Sequence, residues 1–275
     1  MPKCIGFASL FTIMVPLHRQ MEENGYVKIP YPPQRKATVD LLTVASGKHM
    51  IHGLVEVDIT RLRKKIRLLR TSGAPVPSLT GSVVHCCAQV VAQEPQYHAY
   101  RNLFNQLVLF RDVDVSVPIE RHVEHTSEVV PSIIRMANKK TVVEIDREIE
   151  QLKRLPVGNR HTVVAMRLYR WLPRLLGRMC FRLVGRMPTI VRRSFGTVMV
   201  TSVGMFGTGA GWAMPICTHT VNIAIGSLVK RSDHEYLCIT VSFDHDIIDG
   251  APAARFIHRF KRLLERAEFL PGELE

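Results

Sequence analysis

The chain has 275 residues, a net charge of +13 and an apolar fraction of 46%. A chain of this length can bury roughly 75% of its unfolded surface, so a sizeable core is available, and the apolar fraction excludes a wholly disordered chain. Its cysteines (Cys4, Cys86, Cys87, Cys180, Cys217 and Cys238) form no CxxC pair, which argues against a disulfide scaffold, a zinc ribbon or a redox motif; they read as reduced core residues of a cytosolic protein.

Residues 1–34 read as an N-terminal arm. The apolar run from Cys4 to Pro16 is too short to span a bilayer, and Ile29-Pro-Tyr-Pro-Pro33 cannot be helical. A strand is expected over Leu54–Val57, followed by a helix capped by Asp58, with Ile59, Leu62, Ile66 and Leu69 at helical spacing and a stop at Ser72-Gly73. Thr80 is expected to open a second helix through Val83, Val84, Cys87, Val90 and Val91. From Leu107 to Ile119 apolar and polar residues alternate. This places Val113, Val115 and Val117 on one strand face and Asp112, Asp114 and Ser116 on the other. Thr141-Val-Val-Glu144 is a capping box that starts a helix carrying Val142, Ile145, Ile149 and Leu152.

No acidic residue occurs between Glu150 and Asp233. Inside that window, residues 160–193 read as one basic amphipathic helix, kinked at Pro173 and ended by Pro188. Arg170, Arg174, Arg178, Arg182 and Arg186 recur every fourth residue among Trp171, Leu172, Leu175, Leu176 and Met179. Packing on the protein's own core would use the apolar side and leave the arginines in water. The alternatives are an anionic membrane surface or an acidic protein. No nucleic-acid partner is expected, because no helix-turn-helix or zinc motif is present. The uncharged run Ser194–Val229 carries too many Gly, Ser, Thr and Pro residues for a membrane span and reads as buried strands and turns. Strands are expected at Thr197–Val203, Val221–Ile225 and Tyr236–Phe243, and a helix after Gly250 carries Phe256, Ile257, Phe260, Leu263 and Leu264. This mixture predicts an α/β fold, a two-layer mixed sheet with helices on one side.

His245 lies just past the last strand. A histidine on a strand-end turn can take a proton from a thiol, hydroxyl or amine. Asp249 can orient the loop or fix a basic partner, and Gly250 would permit a tight backbone before the helix. No residue cluster suggests a metal site.

The segment Val241-Ser-Phe-Asp-His-Asp-Ile-Ile-Asp-Gly-Ala-Pro-Ala-Ala-Arg-Phe256 resembles the active-site HxxxDG segment of the dihydrolipoamide acyltransferases, the core subunits of 2-oxoacid dehydrogenase complexes, and of chloramphenicol acetyltransferase. Gly196-Thr-Val-Met-Val-Thr-Ser-Val-Gly-Met-Phe-Gly207 is similar to that family's Gly-Thr-Phe-Thr-Ile-Ser-Asn-Leu-Gly-Met-Phe-Gly, and Val55-Glu-Val-Asp58 is a fainter match. The resemblance implies a chloramphenicol acetyltransferase-like fold over residues 35–275 and a trimer, or a multiple of one, with sites between subunits. It implies coenzyme A as the acyl carrier and His245 as general base. Thr201, or Ser202 beside it, would hold the oxyanion, with Arg35 near the site and able to pair with Asp249.

The departures point away from the complexes. No lipoylation motif is present, the family's Asp-His-Arg is Asp244-His245-Asp246 here, and the basic insert 160–193 has no counterpart in complex subunits. The leading expectation is a freestanding, cytoplasmic acyltransferase acting on a coenzyme A thioester. The alternatives are a stripped core subunit served by lipoyl domains in trans, and a non-catalytic trimeric scaffold.

Overall fold

The computed structural model describes residues 35–123, 126–154, 171–203 and 209–271, together with Tyr26, Lys28, Tyr31, Pro32 and Tyr169. The expected arm 1–34 lies almost wholly outside the described residues, as do the start of the basic segment (160–168), Arg170 and the Gly204–Gly207 half of the second motif.

Six strands form one mixed sheet in the order β1 (Met50–Asp58), β8 (His234–Asp244), β7 (Val221–Arg231), β6 (Val198–Ser202), β4 (Val115–Val123) and β5 (Thr126–Ile134). The β4–β6 and β6–β7 pairs are parallel and the others antiparallel. Two short strands, β2 (Tyr100–Arg101) and β3 (Leu107–Val108), make a separate hairpin. Helices α2 (Thr60–Thr71), α3 (Leu79–Gln93), α4 (Val142–Arg154) and α7 (Gly250–Arg266) pack on one face of the large sheet around one continuous apolar core. Phe256, Phe260 and Leu264 of α7 are buried there. The helix lies so close to β1 that a Cβ on Gly53 would stand 2.3 Å from Ile257 Cδ1. The mixed sheet with a helical layer is the architecture expected from the sequence.

Three local expectations shift. Asp58 Oδ1 does accept the Thr60 amide at 2.9 Å, but Ile59, fully buried, occupies the cap position of α2. The second helix starts at Leu79 rather than Thr80, because Ser78 Oγ accepts the Gly81 amide at 2.9 Å. Asp114 and Ser116 do not face water. β4 is an interior strand, and Asp114 is buried against Arg135 and Arg192, 3.0 and 2.9 Å away. The capping box holds as read, with the Thr141 amide on Glu144 Oε2 at 2.8 Å.

The basic segment is not one kinked helix. Pro173 stands at the N-cap of α5 (Arg174–Gly185) and Pro188 opens α6 (Pro188–Phe195), the positions where a missing N–H costs nothing. Helix α5 packs on α1 (Arg35–Ala45) through Phe181, Ala37 and Tyr169. Buried Asp40 takes the Tyr169 hydroxyl at 2.9 Å and faces Arg178 Nε at 3.4 Å. Of the readings left open for the apolar stripe, packing on the core is not seen for Trp171, 82% exposed, or Leu175, 76% exposed, while Met179, 62% exposed, lines a surface cleft. Among the described residues no helix is long and apolar enough to cross a membrane.

Candidate active site

The turn that carries His245 is tied down on several sides. Asp244, buried at the end of β8, accepts the Ile247 and Ile248 amides through its carbonyl at 3.0 and 2.9 Å. Its carboxylate meets Lys48 Nζ at 2.7 Å, and its amide donates to Thr220 O at 2.9 Å. The His245 amide donates to the His49 carbonyl at 2.7 Å, and Ile248 plugs the core beneath the turn. These contacts fix the backbone from which the His245 side chain projects.

The His245 imidazole is half-exposed, with Nδ1 3.7 Å from Asp249 Oδ1. That is ion-pair range but too long for a hydrogen bond. Asp249 is largely exposed and makes no ion pair with Arg35, which opens α1 with its amide on Pro32 O at 3.1 Å. Gly250, expected to permit a tight backbone before the helix, does not have a left-handed φ, and a Cβ there would meet open space. The freedom at that position lies in front of the backbone rather than within it.

Asp246, the departure from the resembling motif, is matched by His49 Nδ1 at 2.9 Å, and that hydrogen bond holds its carboxyl below the usual range. The added negative charge beside the base therefore has its own partner. Lys48 and His49 escape a sequence reading because their partners lie nearly two hundred residues away.

Thr201 and Ser202 end β6, with Thr201 half-buried and Ser202 exposed on opposite faces of the strand. Neither hydroxyl is engaged by a described residue. The Gly-Thr that opens this block is structural. Gly196 has φ +84°, where a Cβ would stand 2.8 Å from the Asp114 carbonyl, and Thr197 Oγ1 accepts the Asp114 amide at 3.0 Å.

The register fixes the separation of the two halves. Thr201 pairs with Ala224, and Ala224 pairs with Thr240, five residues before His245. At ~3.4 Å per residue and ~4.8 Å per strand, His245 and Thr201 of one chain stand about 19 Å apart, with Thr201 level with the middle of β8 and His245 beyond its end.

Beside the His245 turn opens a cleft of about 940 Å³ between α5 and the β2 hairpin. Leu176, Met179 and Leu183 form one wall and Leu103 and Ile247 the other, with Arg101, Arg182 and Arg186 also lining it. Cys180 is exposed in this cleft, whereas Cys86, Cys87, Cys217 and Cys238 are buried as the sequence suggests.

Residues 193–271, which hold both the strand-end histidine and the Gly-Thr block, match the family described as 2-oxoacid dehydrogenases acyltransferase (catalytic domain). Over these residues the chain is similar to the 2-oxoacid dehydrogenase acyltransferases. The acetyltransferase component of the Rickettsia prowazekii pyruvate dehydrogenase complex is 25% identical over 162 residues, which are 56% of this chain and 32% of that protein. The chain thus spans about a third of the length of the curated relatives it matches. Two solved structures share the acyltransferase fold. A probable dihydrolipoamide acetyltransferase from Listeria monocytogenes has a TM-score of 0.65 at 20% identity, covering 92% of this chain and 100% of its own. The truncated catalytic core of the Thermoplasma acidophilum 2-oxoacid dehydrogenase complex has a TM-score of 0.62 at 19% identity, covering 88% and 99%.

Proposed function

We propose that the chain transfers an acyl group from a coenzyme A thioester to a thiol, hydroxyl or amine acceptor, with sites built between copies of the chain in a trimer or a multiple of one. The observation that carries this reading is His245, half-exposed on a turn latched by Lys48, His49 and Thr220 within the family-matched region. With Nδ1 toward Asp249, Nε2 accepts the acceptor's proton as the acceptor's lone pair attacks the thioester carbon. The Thr201 hydroxyl of a neighbouring copy donates to the oxyanion of the tetrahedral intermediate, with Ser202 as the other donor of that pair; such a donor is worth ~3 kcal/mol. Collapse breaks the carbon–sulfur bond, and the coenzyme A thiolate takes the proton back from His245. Gly250 leaves open space at the start of α7, where substrate can approach the backbone closely.

We read the enzyme as acting apart from a dehydrogenase complex, on the strength of the arginine-rich α5 and the cleft it forms. The test is coenzyme A thiol release across acyl-CoA thioesters with and without dihydrolipoamide. Turnover only with lipoyl acceptors would assign it to a complex, and no turnover with any acceptor would favour the scaffold.

For the outer side of the basic segment we propose contact with an anionic membrane surface. Trp171 and Leu175 project into solvent beside Arg174, an arrangement suited to lying in a lipid interface.

A further inference from the structure

We propose that the cleft between α5 and the His245 turn holds the chain of a long-chain acyl thioester, with the anionic carrier on its arginines. This rests on the acyl-transfer reading and names the substrate class it serves. The first observation is place. Ile247, two residues past His245, forms part of the cleft wall, and the opposite wall is α5.

The second is the character of the walls. Leu103, Met179 and Leu183 are each more than half exposed, yet they face a common cleft rather than scattered solvent. A volume of about 940 Å³ lies near the top of the range for small-molecule sites, roughly 300–1,000 Å³. An acetyl group would leave most of this apolar surface wet, whereas a long chain would cover it.

The third is charge. The two carboxylates on the cleft are already matched, Asp244 by Lys48 at 2.7 Å and Asp246 by His49 at 2.9 Å. Arg182 and Arg186 make no ion pair with any described residue and Arg101 acts on Asp246 without a direct ion pair, so with Lys48 four cations face two carboxylates and the cleft keeps an excess of positive charge. Guanidinium groups beside an apolar wall suit a ligand with a hydrocarbon tail and phosphates at its head.

The experiment reads binding without turnover. In the His245→Ala protein, maleimide labelling of Cys180 is followed by peptide mapping while acetyl-, hexanoyl-, decanoyl- and dodecanoyl-CoA are titrated below their micelle concentrations. Each methylene buried tightens binding by up to about fourfold, so the concentration giving half-protection should fall steeply with chain length. Met179→Asp should flatten that dependence. Arg182→Gln with Arg186→Gln should weaken every thioester by about tenfold and leave the chain-length slope in place. Equal protection by acetyl- and dodecanoyl-CoA, or protection by anionic vesicles and by no monomeric thioester, would overturn the proposal. Chain-dependent protection in a protein whose wild type transfers no acyl group would leave the cleft standing and remove the acyl-transfer reading. Acetyl transfer without chain-dependent protection would do the reverse.

Discussion

His245, just past the end of β8, and Thr201, two strands away and level with the middle of β8, stand about 19 Å apart within one chain by strand register. An oxyanion donor acts at about 3 Å from the oxygen it stabilises. One chain therefore cannot bring its own Thr201 to its own His245, and a site using both needs a second copy. A contact that brings His245 of one copy to Thr201 of the next is head-to-tail, and such contacts form a ring when the rotation between copies closes. This geometric requirement agrees with the trimer that the family resemblance implies.

His245→Ala should lower the acyl-transfer rate by ~10²–10⁴-fold. The imidazole is half-exposed and the turn is held through backbone and Asp244 contacts, so the thermal midpoint should stay within a few degrees of wild type. Near-wild-type turnover in this variant would remove His245 from the mechanism.

Asp114→Ala should destabilise the fold by ~3 kcal/mol, at the low end for a broken buried pair because Arg135 and Arg192 are partly exposed and can reach water. The loss should appear as a lower urea midpoint with an unchanged slope. A midpoint equal to wild type would show that the network contributes little.

Parts of this arrangement are visible in the residues and parts are not. The α7 stripe and the capping box at Thr141 are local patterns with one physical solution each, and they stand as read. The alternation of β8 is also local, but Cys238, Thr240 and Ser242 are buried as fully as the apolar residues between them, because both faces of this strand are covered. Asp114 looks like a solvent residue until Arg135 and Arg192 arrive from β5's end and α6. Strand order is a long-range property, so neither the distance from His245 to Thr201 nor the support given by Lys48 and His49 could be seen in the chain. Proline positions 173 and 188 were legible as helix punctuation, but not as helix starts.

Acid should destabilise the protein well above the carboxylate range. Burial pushes the His98 imidazole down to about 4, with Arg192 adding to the effect and Asp114 and Asp112 opposing it. Burial does the same to His219, near Lys48, also to about 4. Both are neutral in the fold and bind protons more readily when unfolded. Stability from these groups is therefore complete above pH ~6.5 and is lost as pH falls toward ~4, at up to ~1.4 kcal/mol per pH unit for each histidine. Urea midpoints measured between pH 7.5 and 4.5 should show this decline. A flat profile would mean that one or both histidines titrate normally.

Anionic vesicles should float the protein at ~0.05 M salt and release it at ~0.5 M, since the screening length shortens several-fold and each arginine near the surface contributes ~1 kcal/mol. Trp171→Ser with Leu175→Ser should weaken flotation, while His245→Ala should not. Protein that stays unbound at low salt would leave the outer side of α5 a solvated face.

The central claim is an acyl-transfer site shared between copies, and mixed oligomers test it most directly. His245→Ala and Thr201→Ala proteins, each nearly inactive, are unfolded together in equal amounts and refolded, and acyl-CoA turnover is measured against each variant refolded alone. If neighbouring copies share the site, random assembly should restore about a quarter of wild-type activity, far above either parent. Activity no greater than the mean of the two separate variants, in a mixture shown to have exchanged chains, would contradict a site built from His245 and Thr201 of different copies.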